Sequence, residues 1–438
     1  MRAWAHLLVV SQVLGLQRPP ISRRNAIQSG AAAAAAVTAF PGSSLLAAEP
    51  SLEDSRTTFR VPVGEFPTPE AALQNAELYA IVPDSTKRLS PSIKPIKPKE
   101  IVQKLAEKRA VFLGEHHNSP ADHLLQAAVI RQVHETAPKG RPMAVGLEAV
   151  QRRFQPVLDD YVAGRIGEAE LEERTDWKSR WFWPFRFYLP VFQTCRELGI
   201  PLLALNVDSE DLSKVESGGL PALPQSTLDR YITDRNGFAS FASTVAFKEY
   251  VAYIIQPSYT MHQRMGILKR TITGQTLDED MTFRNFFSGR ILWDEAMASA
   301  SAAWCAANPT GLLIGLVGSD HVKFGCGVPA RCARQLPGDL ATTAAVLLNP
   351  RPIDTRDGQA PPAPTNGLKG ADGKYNIEDY VLQLRFAPVA GDGGPPVIGS
   401  APSDVEKAAQ QRQARNGQSV LPLADYIMFG GNPARAAS

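Results

Sequence analysis

The stretch AVFLGEHH, residues 110–117, decides the fold together with its second copy, LLIGLVGSDH, residues 312–321. In each copy an apolar run typical of a buried strand ends at a glycine, and a histidine follows three residues later, His117 in the first and His321 in the second. Open α/β sheets bind their ligands at the carboxyl ends of parallel strands. Imidazole is both a metal ligand and a group that titrates near neutrality. The pattern therefore predicts one shared site able to hold a metal, a haem iron or a proton.

A single Gly-x-x-His match carries little information, because glycine is common where strands end and a lone histidine there is usually a surface or capping residue. The chain contains seven histidines. Two of them, His117 and His321, occupy equivalent positions after equivalent strands, which favours a functional pair.

Strands alternate with helices around both copies. Apolar runs predict strands at residues 110–113, 143–147, 200–205, 312–317 and 341–348. Helical patterns at 98–108, 191–199 and 291–307 precede the first, third and fourth of these strands. Ser119 and Pro120 have the N-cap and first-turn positions of a further helix. This alternation indicates an α/β fold with a mostly parallel, doubly wound sheet.

Residues 209–290 interrupt the alternation with helical sequence rich in phenylalanine and tyrosine. An insertion of this size after a strand end predicts a lid over the carboxyl edge of the strands. Its aromatic residues have two interpretations. They form a hydrophobic core, or they form a flat apolar wall for a macrocycle.

Composition divides the chain into four parts. They are targeting segments at 1–48, a lead-in rich in Pro, Ser and Lys at 49–95, an α/β domain with the insertion at 96–350, and a C-terminal extension at 351–438. The lead-in is predicted to hold one helix near residues 69–79. The extension contains a strand-like segment at 380–384, and residues 423–429 are expected to be packed in place.

The first 48 residues have the composition of targeting signals. Residues 6–16, HLLVVSQVLGL, resemble the apolar part of a secretory signal, and SRRNAI at 22–27 with the alanine-rich run after it resembles a twin-arginine signal. Together they predict a transit peptide for the chloroplast thylakoid lumen, with removal of the chain before Glu49. A bacterial twin-arginine signal, leading to the periplasm, and an alanine-rich tail without targeting function are the alternatives.

Composition excludes several classes of function. The 438 residues are 44% hydrophobic and 21% charged with a net charge of +2, as in ordinary globular proteins. Basic residues do not cluster with aromatic ones, so nucleic acid is not an expected partner. After the signals no apolar run approaches the ~20 residues of a transmembrane helix, so no span is expected in the mature protein.

Four cysteines are too few for a disulfide scaffold. Cys326 and Cys332 are close enough in sequence to pair, but their spacing is not a standard zinc pattern. We expect the cysteines to be packing residues or to form a single disulfide.

Several short motifs together resemble one family. They are GEHHN at 114–118, Glu148 at a strand end, WPFR at 183–186, GIPLLALN at 199–206, WDEAMA at 293–298, GSDH at 318–321 and GVPAR at 327–331. Taken together, over roughly residues 90–350, these motifs resemble the ChaN family of the haem-binding uptake and Tiki superfamily. The resemblance implies an α/β core related to erythromycin-esterase-like proteins and a role in haem or iron handling.

The resemblance assigns a polar site to Glu115, His117, Glu148 and His321. In the leading interpretation the chain binds haem, with His117, His321 or Tyr259 as the iron ligand. Tiki-type relatives imply an alternative: a metal-dependent hydrolase or protease in which His117, His321 and Glu148 hold a divalent metal. Glu115 is then the general base, and Glu115 and Glu148 are the catalytic carboxylates.

A third interpretation is a metal-free, esterase-like site in which Glu115 and His117 form an acid/base pair. The sequence contains no Gly-x-Ser-x-Gly motif, which argues against a serine hydrolase. The expected partner is haem or another small molecule, and the sequence leaves open whether the protein forms a homodimer.

Overall fold

The computed structural model describes residues 68–82, 92–242, 244, 247, 250–337, 342–350 and 423–430. The targeting segments at 1–48 and the strand-like segment at 380–384 lie outside the described residues. Among the described residues, no helix has both the length and the apolar character needed to cross a membrane.

An eight-stranded sheet organises the described residues. Its strands are β1 (Glu77–Val82), β2 (Ser92–Pro95), β3 (Ala110–Glu115), β4 (Met143–Gln151), β5 (Leu202–Asn206), β6 (Leu312–Gly318), β7 (Thr343–Leu348) and β8 (Tyr426–Phe429). Their order across the sheet is β2-β1-β8-β7-β3-β6-β4-β5. The strands from β8 to β5 run parallel, and β1 pairs antiparallel with both β2 and β8. The mostly parallel sheet predicted from the sequence is confirmed.

Helices cover both faces of the sheet. They are α1 (Pro69–Gln74), α2 (Pro98–Ala106), α3 (Pro120–Thr136), α4 (Gln155–Val162), α5 (Glu168–Arg174), α6 (Trp177–Arg180), α7 (Phe185–Glu197), α8 (Ser209–Gly218), α9 (Gln225–Tyr231), α10 (Arg235–Phe241), α11 (Gln256–Arg264), α12 (Phe283–Ala307) and α13 (Val328–Arg334). As expected, Ser119 caps α3: its Oγ accepts a hydrogen bond from the backbone N–H of Asp122.

Alternation along the central strands divides the interior into two hydrophobic layers. Ala110 and Phe112 of β3 pack with α8, α12 and α13 on one face, whereas Val111 and Leu113 pack with α2, α3 and α7 on the other. Side chains two residues apart lie on the same face of a strand. Because both faces are covered, the central strands are apolar along their whole length, as parallel strands usually are.

The sheet differs from expectation at its N-terminal side. The helix predicted near residues 69–79 ends at Gln74, and Glu77–Val82 forms β1 instead. The register pairs β1 with β8, so Leu78 lies opposite Met428. This partner is distant in sequence, and a local pattern does not reveal it. The expectation that residues 423–429 are packed in place is confirmed, because β8 lies between β1 and β7.

Candidate functional site

The two histidine motifs lie side by side because their strands are neighbours in register. β3 pairs with β6 so that Glu115 lies opposite Gly318, and β4 pairs with β6 so that Leu147 lies opposite Leu316. The residues that follow these positions therefore leave the sheet at one edge. His321 belongs to a 3₁₀ turn, Ser319–His321, which begins directly after β6.

Glu115 fixes the first imidazole. Nδ1 of His117 lies 2.9 Å from Oε1 of Glu115, and the hydroxyl of Tyr188 donates to the same oxygen at 2.9 Å. The amide of Gln126 donates to Oε2, the other oxygen of Glu115, at 2.5 Å. This arrangement assigns the proton to Nδ1 of His117 and orients the ring. Nε2 of His117 has no hydrogen-bond partner among the described residues, and 22% of the side chain is exposed.

Two carboxylates hold the second imidazole. Nδ1 of His321 lies 2.5 Å from Oδ1 of Asp294, and Nε2 lies 3.2 Å from Oε1 of Glu148. The backbone N–H of Gly318 donates to Oε2 of Glu148 at 2.6 Å. All of these side chains are almost fully buried. Both ring nitrogens of His321 are therefore engaged, in contrast to those of His117.

Gly318 explains why the motif contains a glycine. A Cβ atom at this position would lie 2.8 Å from Nε2 of His117 and 3.5 Å from Oε2 of Glu148. The first distance is shorter than nonbonded carbon contacts allow, so only glycine leaves room for the imidazole. The structure thus brings Glu115, His117, Glu148 and His321 together around one glycine.

The pKa values follow from this arrangement. Burial alone would raise the pKa of Glu148, but His321, His117 and the Gly318 N–H outweigh it and lower this pKa to about 2. Burial alone would lower the pKa of His321, but Glu148 and Asp294 outweigh it and raise the pKa to about 9, against an opposing effect from Arg290.

The pKa values of Glu115 and His117 also result from opposing effects of burial and neighbouring charge. Burial would raise the pKa of Glu115, but His123 and His117 bring it below its ordinary value. Burial would lower the pKa of His117, but its hydrogen bond to Glu115 and the charge of Glu148 bring it above its ordinary value. The site therefore holds carboxylates that stay ionised and imidazoles that retain a proton more readily than in water.

A cavity of about 940 Å³ opens beside these groups, within the range of small-molecule sites. We call it the edge cavity. Its polar floor contains Glu115, His117, Glu148 and His321, and its aromatic lining consists of Trp181, Phe182, Trp183, Phe286 and Trp293. The ring of His117 lies edge-on to Trp181 and Trp183, with centroid distances of 4.9 and 5.7 Å. The insertion at 209–290 lines one side of the edge cavity, through residues that include Glu216, Thr271 and Phe286.

Tyr259 lies outside the lining of the edge cavity. Its hydroxyl donates to the main-chain oxygen of Met281 at 3.1 Å, and its ring packs against Phe283 and Phe286. Other aromatic residues of the insertion, including Phe238 and Phe247, are buried in the core.

The cysteines are packing residues. Cys195, Cys305, Cys326 and Cys332 are all buried, and no disulfide joins any of them, so Cys326 and Cys332 are not bonded to each other. Cys326 lies after the turn that follows β6, whereas Cys332 lies inside α13. Proximity in sequence therefore did not produce a disulfide.

Four residues of the site were not identified from the sequence. They are Asp294, which orients His321; Tyr188, which donates to Glu115; Trp181, which packs on His117; and Arg290, which lines the edge cavity. Asp294 belongs to the WDEAMA motif. The motif therefore marked this residue, but the sequence did not show that Asp294 contacts His321. Trp181 and Tyr188 lie two residues before and two residues after the WPFR motif, so that motif also pointed to this region without showing their contacts.

Within the described part of the chain, no group of three or more His, Cys, Asp and Glu side chains has an arrangement that could hold a metal ion. Metal binding by His117, His321 and Glu148 stays a prediction.

Comparison with known proteins gives a family and several distant relatives. A family model described as "Haem-binding uptake, Tiki superfamily, ChaN" matches residues 101–332. The Arabidopsis thaliana protein RETICULATA-RELATED 5, chloroplastic, is 25% identical over 276 residues, which cover 60% of this chain and 34% of that protein. The chain therefore spans about a third of the length of this curated relative.

Comparison with solved structures gives several distant similarities. The structure described as "Cofacial heme binding to ChaN of Campylobacter jejuni" is 17% identical and covers 64% of this chain and 95% of its own, with a TM-score of 0.43. An erythromycin esterase, EreC, is 15% identical and covers 80% of this chain and 97% of its own, with a TM-score of 0.36.

The ion pair of Glu148 and His321 predicts a pH dependence of stability. The pKa of His321 is raised from 6.5 to about 9, so its contribution is complete below pH 6.5 and is lost as the pH rises through 9. The pKa of Glu148 is lowered from 4.5 to about 2, so its contribution is complete above pH 4.5 and is lost as the pH falls through 2. The pair therefore stabilises the fold most between pH 4.5 and 6.5.

Urea unfolding of the wild type and of Glu148→Gln measures this contribution. We expect the difference in unfolding free energy to be largest near pH 5.5 and to shrink towards pH 9, with Glu135→Gln, an exposed change on α3, as the control. An equal difference at both pH values would contradict the assignment.

Proposed function

The chain belongs to the ChaN family of the haem-binding uptake and Tiki superfamily, and on that premise we propose that it binds haem in the edge cavity. The observation that carries the proposal is the imidazole of His117, which is held by a buried carboxylate on one side and faces an aromatic cavity on the other.

The edge cavity fits a porphyrin in its chemistry. A porphyrin is flat and mostly apolar, and indole and phenyl rings stabilise such a surface by burial and by offset or edge-on contact. Trp181, Trp183 and Trp293 supply these rings beside the two imidazoles. Haem, when bound, would supply an iron centre that a histidine or tyrosine side chain of this site could ligate.

Among the three ligands predicted from the sequence, His117 is the one that we propose. Nε2 of His117 has no hydrogen-bond partner among the described residues, whereas Nε2 of His321 lies against Glu148. The hydroxyl of Tyr259 donates to Met281 and lies outside the cavity lining. His117 can therefore act as a ligand without breaking an ion pair.

Glu115 and Tyr188 have a supporting role in this proposal. A carboxylate on Nδ1 of a ligating histidine fixes the ring and raises its basicity. Glu115 accepts from His117, Tyr188 and Gln126, so its position is determined by three hydrogen bonds. These residues hold the imidazole in one orientation and keep the proton on Nδ1.

A second candidate function is metal-dependent hydrolysis, and its support is the carboxylate that contacts Nδ1 of each imidazole. Each imidazole has a buried carboxylate on Nδ1, Glu115 for His117 and Asp294 for His321, as ligating or acid/base histidines commonly have. Glu148 lies between the two rings. A divalent metal held by His117, His321 and Glu148 would activate water, and Glu115 would be the general base.

We also propose that the protein functions in the plastid. The support is the name of the Arabidopsis relative, which describes that protein as chloroplastic, and the targeting signals in residues 1–48. The twin-arginine signal favours the thylakoid lumen. Isolated thylakoids treated with protease test this location: a lumenal protein stays intact until detergent is added, and its amino terminus lies near Glu49. Digestion without detergent would contradict it.

Hemin titration tests the main proposal. We expect a saturable Soret shift for the wild type, and His117→Ala should weaken hemin binding at least about tenfold, because loss of an orienting partner alone costs a ligating histidine about that much. His134→Ala, an exposed histidine on α3, is the matched control and should bind as the wild type does. Tyr259→Phe should also leave the Soret band unchanged.

A wild type that gives no Soret shift would overturn haem binding. An unchanged spectrum and affinity in His117→Ala would instead overturn the assignment of the ligand.

Divalent metal tests the second candidate. If it is correct, the dialysed protein retains Zn²⁺ or Mn²⁺, and a chelator abolishes its hydrolysis of fluorogenic esters and peptides. Glu148→Gln should then lose the metal, whereas Glu115→Gln should keep the metal and lose turnover, because a general base is needed for the chemistry alone. Hydrolysis that survives the chelator, or no metal retention, would contradict this function.

A further inference from the structure

Arg290 is a cation in the wall of the edge cavity that has no hydrogen-bond or ion-pair partner among the described residues. It lies on α12 and lines the cavity together with the imidazoles. Among the described residues no hydrogen bond or ion pair involves its guanidinium, and its Nε is buried without a partner. Arginine side chains near the interior are usually paired, because a guanidinium removed from water loses hydration that only an acceptor restores.

The acids around Arg290 have partners other than Arg290, except that Oδ2 of Asp294 has no hydrogen-bond partner among the described residues. Glu148 is paired with His321 and with the N–H of Gly318, and Oδ1 of Asp294 is paired with the other nitrogen of His321. Asp320 accepts from the ammonium of Lys323 at 2.7 Å. These acids and the phenol of Tyr250 still raise the pKa of Arg290, against the opposing effect of burial. The guanidinium is therefore charged, while none of its N–H groups donates a hydrogen bond to a described residue.

Trp293 adds a second donor on the same face of α12. Residues three apart on a helix are neighbours, and Trp293 lines the cavity as Arg290 does. Its Nε1 is buried and has no acceptor among the described residues. The ring lies 5.7 Å from the ring of His321, centroid to centroid. This part of the wall thus offers two kinds of N–H donor that make no hydrogen bond to a described residue.

We propose that Arg290, with Trp293 beside it, binds an anionic group of the ligand in the edge cavity, and that this group is a carboxylate. A guanidinium binds a carboxylate through two parallel hydrogen bonds, which position the ligand as well as hold it. The ligand class is therefore a flat aromatic body that carries a carboxylate. The identification of the aromatic body as a porphyrin rests on the proposed function. The preference for an anion follows from Arg290 alone.

Two pairs of probes separate the anion from the aromatic body. Hemin has two free propionate carboxylates, and in hemin dimethyl ester both are esterified. The second pair, 1-pyrenebutyrate and its methyl ester, makes the same comparison of acid with ester on an aromatic body that contains no metal. We expect the wild type to bind each carboxylate about tenfold or more tightly than its ester, the effect of one charge-assisted hydrogen-bonded pair. Arg290→Gln should bind acid and ester equally.

Two further variants serve as controls. Arg284→Gln removes an exposed arginine from the first turns of the same helix and should keep the preference of the wild type. Arg290→Lys keeps the charge without the planar pair of donors and should keep part of the preference. If Arg290→Gln were unfolded, Arg290→Lys would still report whether the preference depends on this side chain.

Each outcome decides a separate question. If neither haem compound binds but the pyrene pair shows a preference that depends on Arg290, haem binding is wrong and the anion site stands. If hemin binds and the wild type does not distinguish acid from ester, the anion site is wrong and haem binding stands. A preference that survives in Arg290→Gln, or no binding of any probe, also overturns the anion site.

Discussion

The register between β3 and β6 is the constraint on which the site depends. It places Glu115 opposite Gly318, so that the two histidine motifs leave the sheet side by side although they are about two hundred residues apart. β4 adds Glu148 on the other side of β6. A shift of one residue in either ladder would turn each strand's side chains to the opposite face, bury the wrong residues and separate the four polar groups. The apolar alternation that specifies the core therefore also specifies the geometry of the site.

Charge compensation makes this geometry tolerable. Ionised carboxylates at the interior of a protein are costly unless hydrogen bonds and opposite charges replace water. Glu115 receives three hydrogen bonds, and Glu148 receives the N–H of Gly318 and faces His321. The compensation is unequal in one respect. Both nitrogens of His321 are engaged, whereas Nε2 of His117 and the guanidinium of Arg290 are left towards the cavity. Neither of these two groups has a hydrogen-bond partner among the described residues, so a ligand in the edge cavity could supply one.

The sequence predicted the parts of the structure that depend on local patterns. The central strands, the capped helix after β3 and the polar residues at the strand ends all follow from apolar runs and their terminators. β1 was not predicted, because one of the two strands that it pairs with, β8, is distant in sequence. Asp294 and Tyr188 were not assigned to the site for a similar reason. They lie within helices, and only the packing of α12 and α7 against the sheet shows that they reach His321 and Glu115. Arg290 could not be distinguished from a solvated arginine, since the lack of a partner is a property of the folded chain.

The position of β8 has a consequence for how the protein folds. This strand lies inside the sheet, between β7 and β1, although it comes from the far end of the described chain. The hairpin of β1 and β2 therefore cannot join the parallel strands until β8 is available, and contacts between strands so distant in sequence form slowly. Until then β7 presents an unpaired strand edge, and exposed strand edges are where partly folded chains pair with one another. A chaperone that shields an exposed strand edge would have its greatest effect during this interval, and loss of β8 would also remove the strand that joins the hairpin of β1 and β2 to the parallel strands.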